Sequence, residues 1–450
     1  MQSKEYLKYN NNAYMYVEFP HKKFWNKQIN NSSSFESFFS ESLKELQKDN
    51  YLYYVHIPHC HTQCLYCTCH VEITKDYEVV KKYLNLLLKE IDVQLNIFTT
   101  ANINPIITHL HMGGGSPTFL KPEEYDVLTK KLEKFINFNQ LFEYSIEIDP
   151  RRIKEDRMYY YHSKGINRIS FGVQEFDKEV QKMIARVQPA SLTEKLLTKE
   201  IRKLFPNGIN FDLICGLPGQ RLVTFQTTIK KTIELNPDRI CLNYMHLSPI
   251  YHPHQLKMPK DLIPDENLRK ELFLLAEEML LKNGYLRAGY DHFIKKTDYL
   301  AEQIKNKRAG WDRLGIVSGQ YNGILGAGVS SVGKLNGKLY YQNTFENIEY
   351  ERLINLKRLP VANFHFVSKK DQISEYVIKN LRQYFYINKK DVNSKFNLEF
   401  DDFFKKPINL LKEFEQDNLL INNENYIKLT KTGEIYSNLI ASKFDYYINN

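Results

Sequence analysis

The sequence predicts an α/β protein: a β/α barrel-like domain with helices outside a parallel sheet, then a tail of helices and a short hairpin. Three observations predict this. Short β-type runs alternate with amphipathic stretches, beginning with "YLYYVHIP" (51–58). A loop dense in cysteine follows the end of that first run, where parallel barrels carry their chemistry. The tail from 366 to 450 then changes pattern, reading as helices, a short hairpin whose turn is "NNEN" and a final helix opened by "LTKTG".

In chain order, strands are expected at 51–58, 105–112 ("PIITHLHM"), 143–148 ("EYSIEI"), 166–173 ("INRISFGV"), 209–214 ("INFDLI"), 239–247 ("RICLNYMHL") and 285–293 ("YLRAGYDHF"). Between them, 76–98 places Val79, Tyr83, Leu86, Leu87, Ile91 and Leu95 at helical spacing. A second helix is expected over 121–138, with Pro122 and two glutamates in its opening turn. Three segments follow from this division: an N-terminal extension (1–50), a catalytic domain (51–365) and a C-terminal domain (366–450).

At 450 residues, 42% hydrophobic and 26% charged, the chain has an ordinary globular composition and length for two or three domains. No apolar run reaches the length of a membrane span, and the N-terminus lacks a basic-then-apolar leader, so the expected compartment is the cytoplasm. The net charge of +9 comes from scattered lysines, which suits an anionic small molecule and argues against nucleic acid.

Four of the six cysteines, Cys60, Cys64, Cys67 and Cys69, crowd into "CHTQCLYCTC". In a reducing compartment such a cluster binds metal or does chemistry. The paired Cys-x2-Cys layout of most zinc sites is missing, although a zinc knuckle using His56, His59, His61 or His70 competes. A tight loop of three thiolates can instead hold an iron–sulfur cube and leave one iron open. Cys215 and Cys241 lie in apolar runs and read as small buried hydrophobes. "MGGGSPTFL" (112–120) lets a ligand approach the backbone closely, with a plain tight turn as the bland reading. Glu147 and Asp149 alternate onto one strand face, and Asp212 is a lone acid in an apolar strand, costly unless satisfied.

Cys-x3-Cys-x2-Cys after a strand ending "YVHIP" resembles the radical S-adenosylmethionine (SAM) superfamily, and the "CTC" beyond it resembles the oxygen-independent coproporphyrinogen III oxidase (dehydrogenase) family. The resemblance implies a partial (β/α)6 radical-SAM barrel with a small, mainly helical, winged-helix-like C-terminal domain acting as a lid. It implies a [4Fe–4S] cluster on Cys60, Cys64 and Cys67, with Cys69 close to a second SAM instead of ligating. Gly113, Gly114, Gly115 and Ser116 match the stretch that recognises the SAM amino group. Tyr54, Glu147, Gln174, Arg186, Asp212, Met245 and Val332 match further cofactor-binding positions, Asp212 at the second SAM, with Tyr54 also placed beside the chemistry.

Two stretches depart from the family pattern. "AYMYVEFPH" (13–21) lacks an arginine of the family's N-terminal run, and "WDRLGIVSG" (311–319) puts Arg313 and Leu314 where the family has phenylalanine and a glutamine that contacts the second SAM. The expected reaction is oxidative decarboxylation of two coproporphyrinogen III propionates to vinyl groups in haem biosynthesis. Alternatives are a related radical SAM enzyme with an altered second pocket, methylating a small molecule or opening a haem-type ring, and a haem-chaperone-like protein. Expected partners are an anionic porphyrinogen-type substrate and an electron-donor protein such as flavodoxin or ferredoxin, with the chain a monomer.

Overall fold

The computed structural model describes residues 9, 18–27, 32–312 and 314–449. Most of the N-terminal "AYMYVEFPH" run, and Arg313, lie outside the described residues.

Six strands run parallel in chain order: β1 (Asn50–Ile57), β2 (Ile106–Gly114), β3 (Glu143–Ile148), β4 (Arg168–Gln174), β5 (Ile209–Cys215) and β6 (Arg239–Tyr244). The barrel stays open. Beyond β1 the sheet continues through Gly323–Ala327, parallel to it, and then antiparallel strands; beyond β6 it continues into an antiparallel hairpin. That hairpin corrects one expectation. The run 285–293 is two short strands, Tyr285–Ala288 and His292–Lys295, reversed at Gly289 with φ +80°.

Alternation explains the architecture. On β1 to β6, Tyr53, Val55, Leu110, Met112, Tyr144, Ile146, Ile169, Phe171, Phe211, Leu213, Ile240 and Leu242 belong to one buried apolar core. The residues between them are polar: His109 and His111, Ser145 and Glu147, Ser170, Asn210 and Asp212. A parallel sheet covered on both faces ordinarily reads as continuous apolar runs. Here one face packs on helices and the other surrounds a polar interior.

The helix Tyr77–Thr100, capped by Asp76 accepting from the Glu78 amide, lays Val80, Tyr83, Leu84, Leu87, Ile91 and Phe98 on that core, each worth roughly 1.5–3 kcal/mol buried. Its inward face is rotated from the expected one, because two polar residues occupy its centre. Gln94 accepts from Tyr53 Oη (2.7 Å) and donates to the Gly326 carbonyl (2.9 Å). Glu90 accepts from the Gly328 amide (2.7 Å), Asn343 (2.7 Å) and Tyr350 Oη (2.5 Å). The helix thus grips the backbone of the late strands by hydrogen bonds, which periodicity cannot announce. The second helix ends earlier than expected, at Leu132, and Phe135 and Ile136 pack from the following turn.

The floor of the interior is ionic. Glu143 bonds Arg168 (2.7 Å) and Tyr299 Oη (2.8 Å), and Arg239 bonds Asp298 (2.7 Å). Burial opposes ionisation of Glu143, but Arg168 and Arg239 overrule it and hold its carboxyl at about 2. Residues 369–449 build a second apolar core, from Ile373, Val377 and Leu381 to Ile440 and Phe444, around helices and a three-stranded antiparallel sheet. No helix among the described residues is long and apolar enough to cross a membrane.

Burial pushes the Glu90 carboxyl up to about 7, against the pull of its donors. An acid raised in the folded state destabilises it as pH rises from the unfolded value near 4.5 to the folded value. Relative to wild type, the thermal midpoint of Glu90→Gln should therefore improve between pH 5 and pH 7 and level off above about 7. A difference independent of pH would place the carboxylate in a less buried setting.

Candidate active site

The cysteine loop hangs from the C-terminal end of β1. Its neck is closed by His59–Cys60 pairing in parallel with Glu72–Ile73, with the Glu72 amide on Pro58 O (2.8 Å) and the Thr74 amide on Cys60 O (3.0 Å). Three further bonds set its course. Leu65 N donates to Ile184 O (3.0 Å), Gln255 donates to Tyr66 O (3.2 Å), and His254 bonds Cys67 O (2.7 Å). Leu65 and Tyr66 seat the loop on an apolar wall of Val180, Ile184, Ile214, Leu217, Met245 and Met258. Met245 therefore lies behind the loop, with its side chain in that wall.

The four thiols are not equivalent. Cys64 is buried, Cys60 and Cys67 half-buried, and Cys69 exposed. Arg186 Nη1 donates to Cys64 Sγ at 3.5 Å and Arg151 Nη2 at 3.8 Å. Both guanidiniums share Asp149: Arg151 makes three contacts of 2.7–3.1 Å, and Arg186 approaches to 3.5 Å. Burial opposes ionisation of Asp149, but the two arginines hold its carboxyl below the ordinary range. A hydrogen bond from Cys69 lowers the Cys67 thiol and raises Cys69 well above its usual value, while burial pushes Cys60 up to about 12.

Beside this loop, β2 ends in the glycine run. The Gly115 amide donates to Ile57 O (2.8 Å), and a Cβ there would sit 2.5 Å from Pro58 O, so strand end and loop neck meet backbone to backbone. Gly114, at φ +116°, donates to Glu147 Oε2 (3.1 Å), and a Cβ on Gly113 would strike Glu147 Oε1. Ser116 Oγ meets Thr118 Oγ1 at 3.2 Å. His111 bonds Glu147 through Nε2 (3.2 Å) and Ser145 through Nδ1 (2.7 Å), and stacks on Tyr54 at 5.8 Å.

Tyr54 Oη lies 2.9 Å from His56 Nδ1, and His56 Nε2 lies 3.0 Å from His70 O. Burial lowers His56 to about 4, so its ring is neutral at pH 7. A carbonyl only accepts, hence Nε2 carries the proton and Tyr54 donates to Nδ1. This chain ties β1 to the residue after Cys69. Across the interior, Asp212 accepts from Ser170 (2.9 Å) and Asn210 (2.9 Å), and burial followed by the charge of Glu147 raises its carboxyl. Gln174, at φ +68°, and Arg186 flank Gly172, where an added Cβ would lie 3.1 Å from each side chain. The structure thus gathers Tyr54, Gly113–Ser116, Glu147, Gln174, Arg186 and Asp212 around the cysteine loop. Val332 opens the strand Val332–Leu335 opposite Gln342, and its carbonyl lies close to Gly326, the strand partner of Tyr54.

Sequence reading missed His111, Ser145 and Arg151, and weighed His56 only as a zinc ligand. The signal was present in "THLHMGG" and "YSIEI", whose polar residues alternate onto the face carrying Glu147. It also treated Cys241 as a hydrophobe, yet its thiol, the Asp291 carboxylate and the His292 ring lie within 4.8 Å of one another.

Comparison with known proteins follows the same outline. Residues 54–232 match the radical SAM superfamily model, and residues 367–434 match the HemN C-terminal domain. The chain is 34% identical over 400 residues to the oxygen-independent coproporphyrinogen III oxidase of Helicobacter pylori strain J99, covering 88% of this chain and 86% of that one. It is 31% identical over 447 residues to the Synechocystis enzyme of the same name, covering 98% and 94%.

The chain belongs to the oxygen-independent coproporphyrinogen III oxidase family.

The solved structure of Escherichia coli coproporphyrinogen III oxidase, described as a radical SAM enzyme, superposes with a TM-score of 0.90 at 28% identity, covering 99% of each chain. Membership in this radical SAM family implies a [4Fe–4S] cluster and SAM. The donor set here fits a cluster: three thiols on one pinned loop, with guanidinium N–H groups aimed at the buried sulfur as a thiolate requires.

Gly115→Ala should force the backbone contact at Pro58 apart, costing about 1–3 kcal/mol and lowering the iron retained after reconstitution. Ser116→Ala should do neither. Thermal melts and iron assays compare the two; equal effects would mean that the glycine's closeness to the loop neck is unimportant.

Proposed function

We propose that this protein performs the oxygen-independent oxidative decarboxylation of coproporphyrinogen III, converting propionates to vinyl groups through SAM. The observation that carries the reading is the pinned cysteine loop meeting Gly115, within a chain related along nearly its whole length to enzymes of that name. Cys60, Cys64 and Cys67 would hold the cluster. With SAM, such a cluster supplies one-electron cleavage of the sulfonium to methionine and a hydrogen-abstracting 5′-deoxyadenosyl group.

This chain's own residues bind and orient. The Gly113–Gly115 backbone and Glu147 offer acceptors for the SAM amino group. Arg186, already spanning Cys64, Asp149 and Gly172 O, keeps positive charge beside the cluster and the methionine carboxylate. Gln174 and Asp212 face the same interior and suit ribose or amine donors. Tyr54 holds its proton toward His56, so that this pair adds no charge to the site. Cys69, the exposed thiol, faces the substrate side and does not ligate. Residues 366–450 serve as the lid over a catalytic domain at 51–365. An electron-donor protein such as flavodoxin or ferredoxin supplies electrons, and the protein acts as a cytoplasmic monomer.

A second reading, a related radical SAM enzyme with another small-molecule substrate, is favoured by one observation. Leu314 packs with Leu52, Tyr54, Tyr321 and Ile324 and borders a cavity of about 20 Å³ beside His111. An aliphatic group there makes no hydrogen bond to a second SAM. Anaerobic turnover with SAM, a strong reductant and coproporphyrinogen III separates the readings by mass spectrometry. Products lighter by one or two formic-acid equivalents are expected. Unchanged porphyrinogen with accumulating 5′-deoxyadenosine would favour the second reading.

Ligand assignment has its own test. Cys67→Ala should lose most of the reconstituted iron and the cluster absorbance, whereas Cys69→Ala should keep both. Loss in Cys69→Ala would overturn the assignment.

A further inference from the structure

A loop on the outer side of the cysteine loop is built to present apolar surface. Residues 246–258 are closed by Gln255, which accepts from the Ser248 amide (2.8 Å) and donates to His246 O (2.8 Å) and Tyr66 O (3.2 Å). Its neighbour His254 bonds Cys67 O (2.7 Å). Yet the tip exposes Ile250 at 88% and Tyr251 at 82% of their surfaces, and Leu256 at 54%. Tyr251 is three residues from His254, so its Cα lies within about 11 Å of the Cα whose side chain touches the cysteine loop. Holding two large side chains out of a core forgoes their burial, and an anchored loop that does so marks an interaction surface.

Charge indicates the partner. The cysteine loop (60–75) and the segments contacting it (149–154, 184–188, 246–261 and 345–347) contain seven lysines and arginines against four acids, whereas the whole chain has 62 against 53. Of these, Lys75, Arg152, Lys154, Lys257 and Lys260 are exposed, as are Asp261 and Glu346. Apolar anchors on a loop that also exposes Lys257 and Lys260 fit a partner with an apolar patch beside acidic groups.

We propose that Ile250 and Tyr251, with Lys257 and Lys260 of the same loop, form the docking face for a small acidic one-electron carrier protein that reduces the cluster. This rests on the radical SAM reading above. One electron leaves the carrier's reduced cofactor and arrives on the cluster, with no bond made or broken; the carrier is oxidised and the cluster reduced by one. The face belongs to a loop bonded directly to the cysteine loop through His254 and Gln255.

The test uses the reconstituted holoenzyme with flavodoxin as the acidic carrier. Ile250→Asp/Tyr251→Asp and Lys257→Glu/Lys260→Glu should each weaken flavodoxin binding, measured by titration calorimetry, by about tenfold or more. The charge variant should also flatten the salt dependence of binding. SAM cleavage driven by reduced flavodoxin should fall in parallel, while cleavage driven by dithionite stays within about twofold of wild type. Unchanged flavodoxin binding in both variants, or equal losses with dithionite, would overturn the proposal. Wild-type protein that cleaves no SAM even with dithionite would instead sink the radical SAM reading, and the calorimetry would still decide the docking face.

Discussion

The structure depends on the side-chain alternation of its parallel strands. Tyr53, Val55, Leu110, Met112, Ile146, Phe171, Leu213 and Leu242 all face the helices, and this one-sided apolar packing holds the sheet. It leaves the opposite face to tyrosine, histidine, serine and carboxylates. Each such group left unpaired in the interior would cost about 1–3 kcal/mol. The register prevents that cost, because Tyr54 stands opposite His111, His111 opposite Ser145, and Gly172 opposite Asp212. A one-residue slip in any strand would turn its polar set into the helices. Packing and site are therefore the same constraint, read from opposite faces of one sheet.

From that register follows the placement of the cysteine loop. β1 and β2 end side by side, with Ile57 paired to Gly114, and the next residue, Gly115, touches the loop's neck. Arg186 arrives from beyond β4 and spans Cys64, Asp149 and Gly172 O, so three elements share one buried cation. The Asp149 carboxylate lets two guanidiniums lie near each other and near a sulfur. Without it their mutual repulsion in a half-buried site would push one away.

Much of this was legible in the sequence. The strand order, the cysteine spacing and the glycine run are local signals, written in short stretches with strong residue preferences. What was not legible depends on distant contacts. Glu90 and Gln94 look like solvent-facing helix residues, and only the late strands, more than two hundred residues away, show why they are buried. His111 looked like a spare histidine and His56 like a zinc candidate until the fold joined them to Ser145 and Tyr54. The run 285–293 read as one strand because its alternation continues across Gly289, where the backbone reverses.

The segment 310–321 shows where family likeness stops specifying chemistry. It lies against β1 and β2: Ser318 bonds His109 (3.1 Å), Tyr321 Oη bonds Asp312 (2.7 Å), and Leu314 packs near Tyr54. The bonds of Ser318 and Tyr321 hold the segment without the side chain of residue 314, whose own contribution is apolar packing. Polarity at that position therefore bears less on the segment's placement than on any ligand beside Tyr54 and His111. A change at such a position can redirect what the interior holds without disturbing the floor of Glu143, Arg168 and Arg239 or the cysteine loop above it. Substrate choice is thus separable from the radical machinery, since the two are supported by different residues of the same strands.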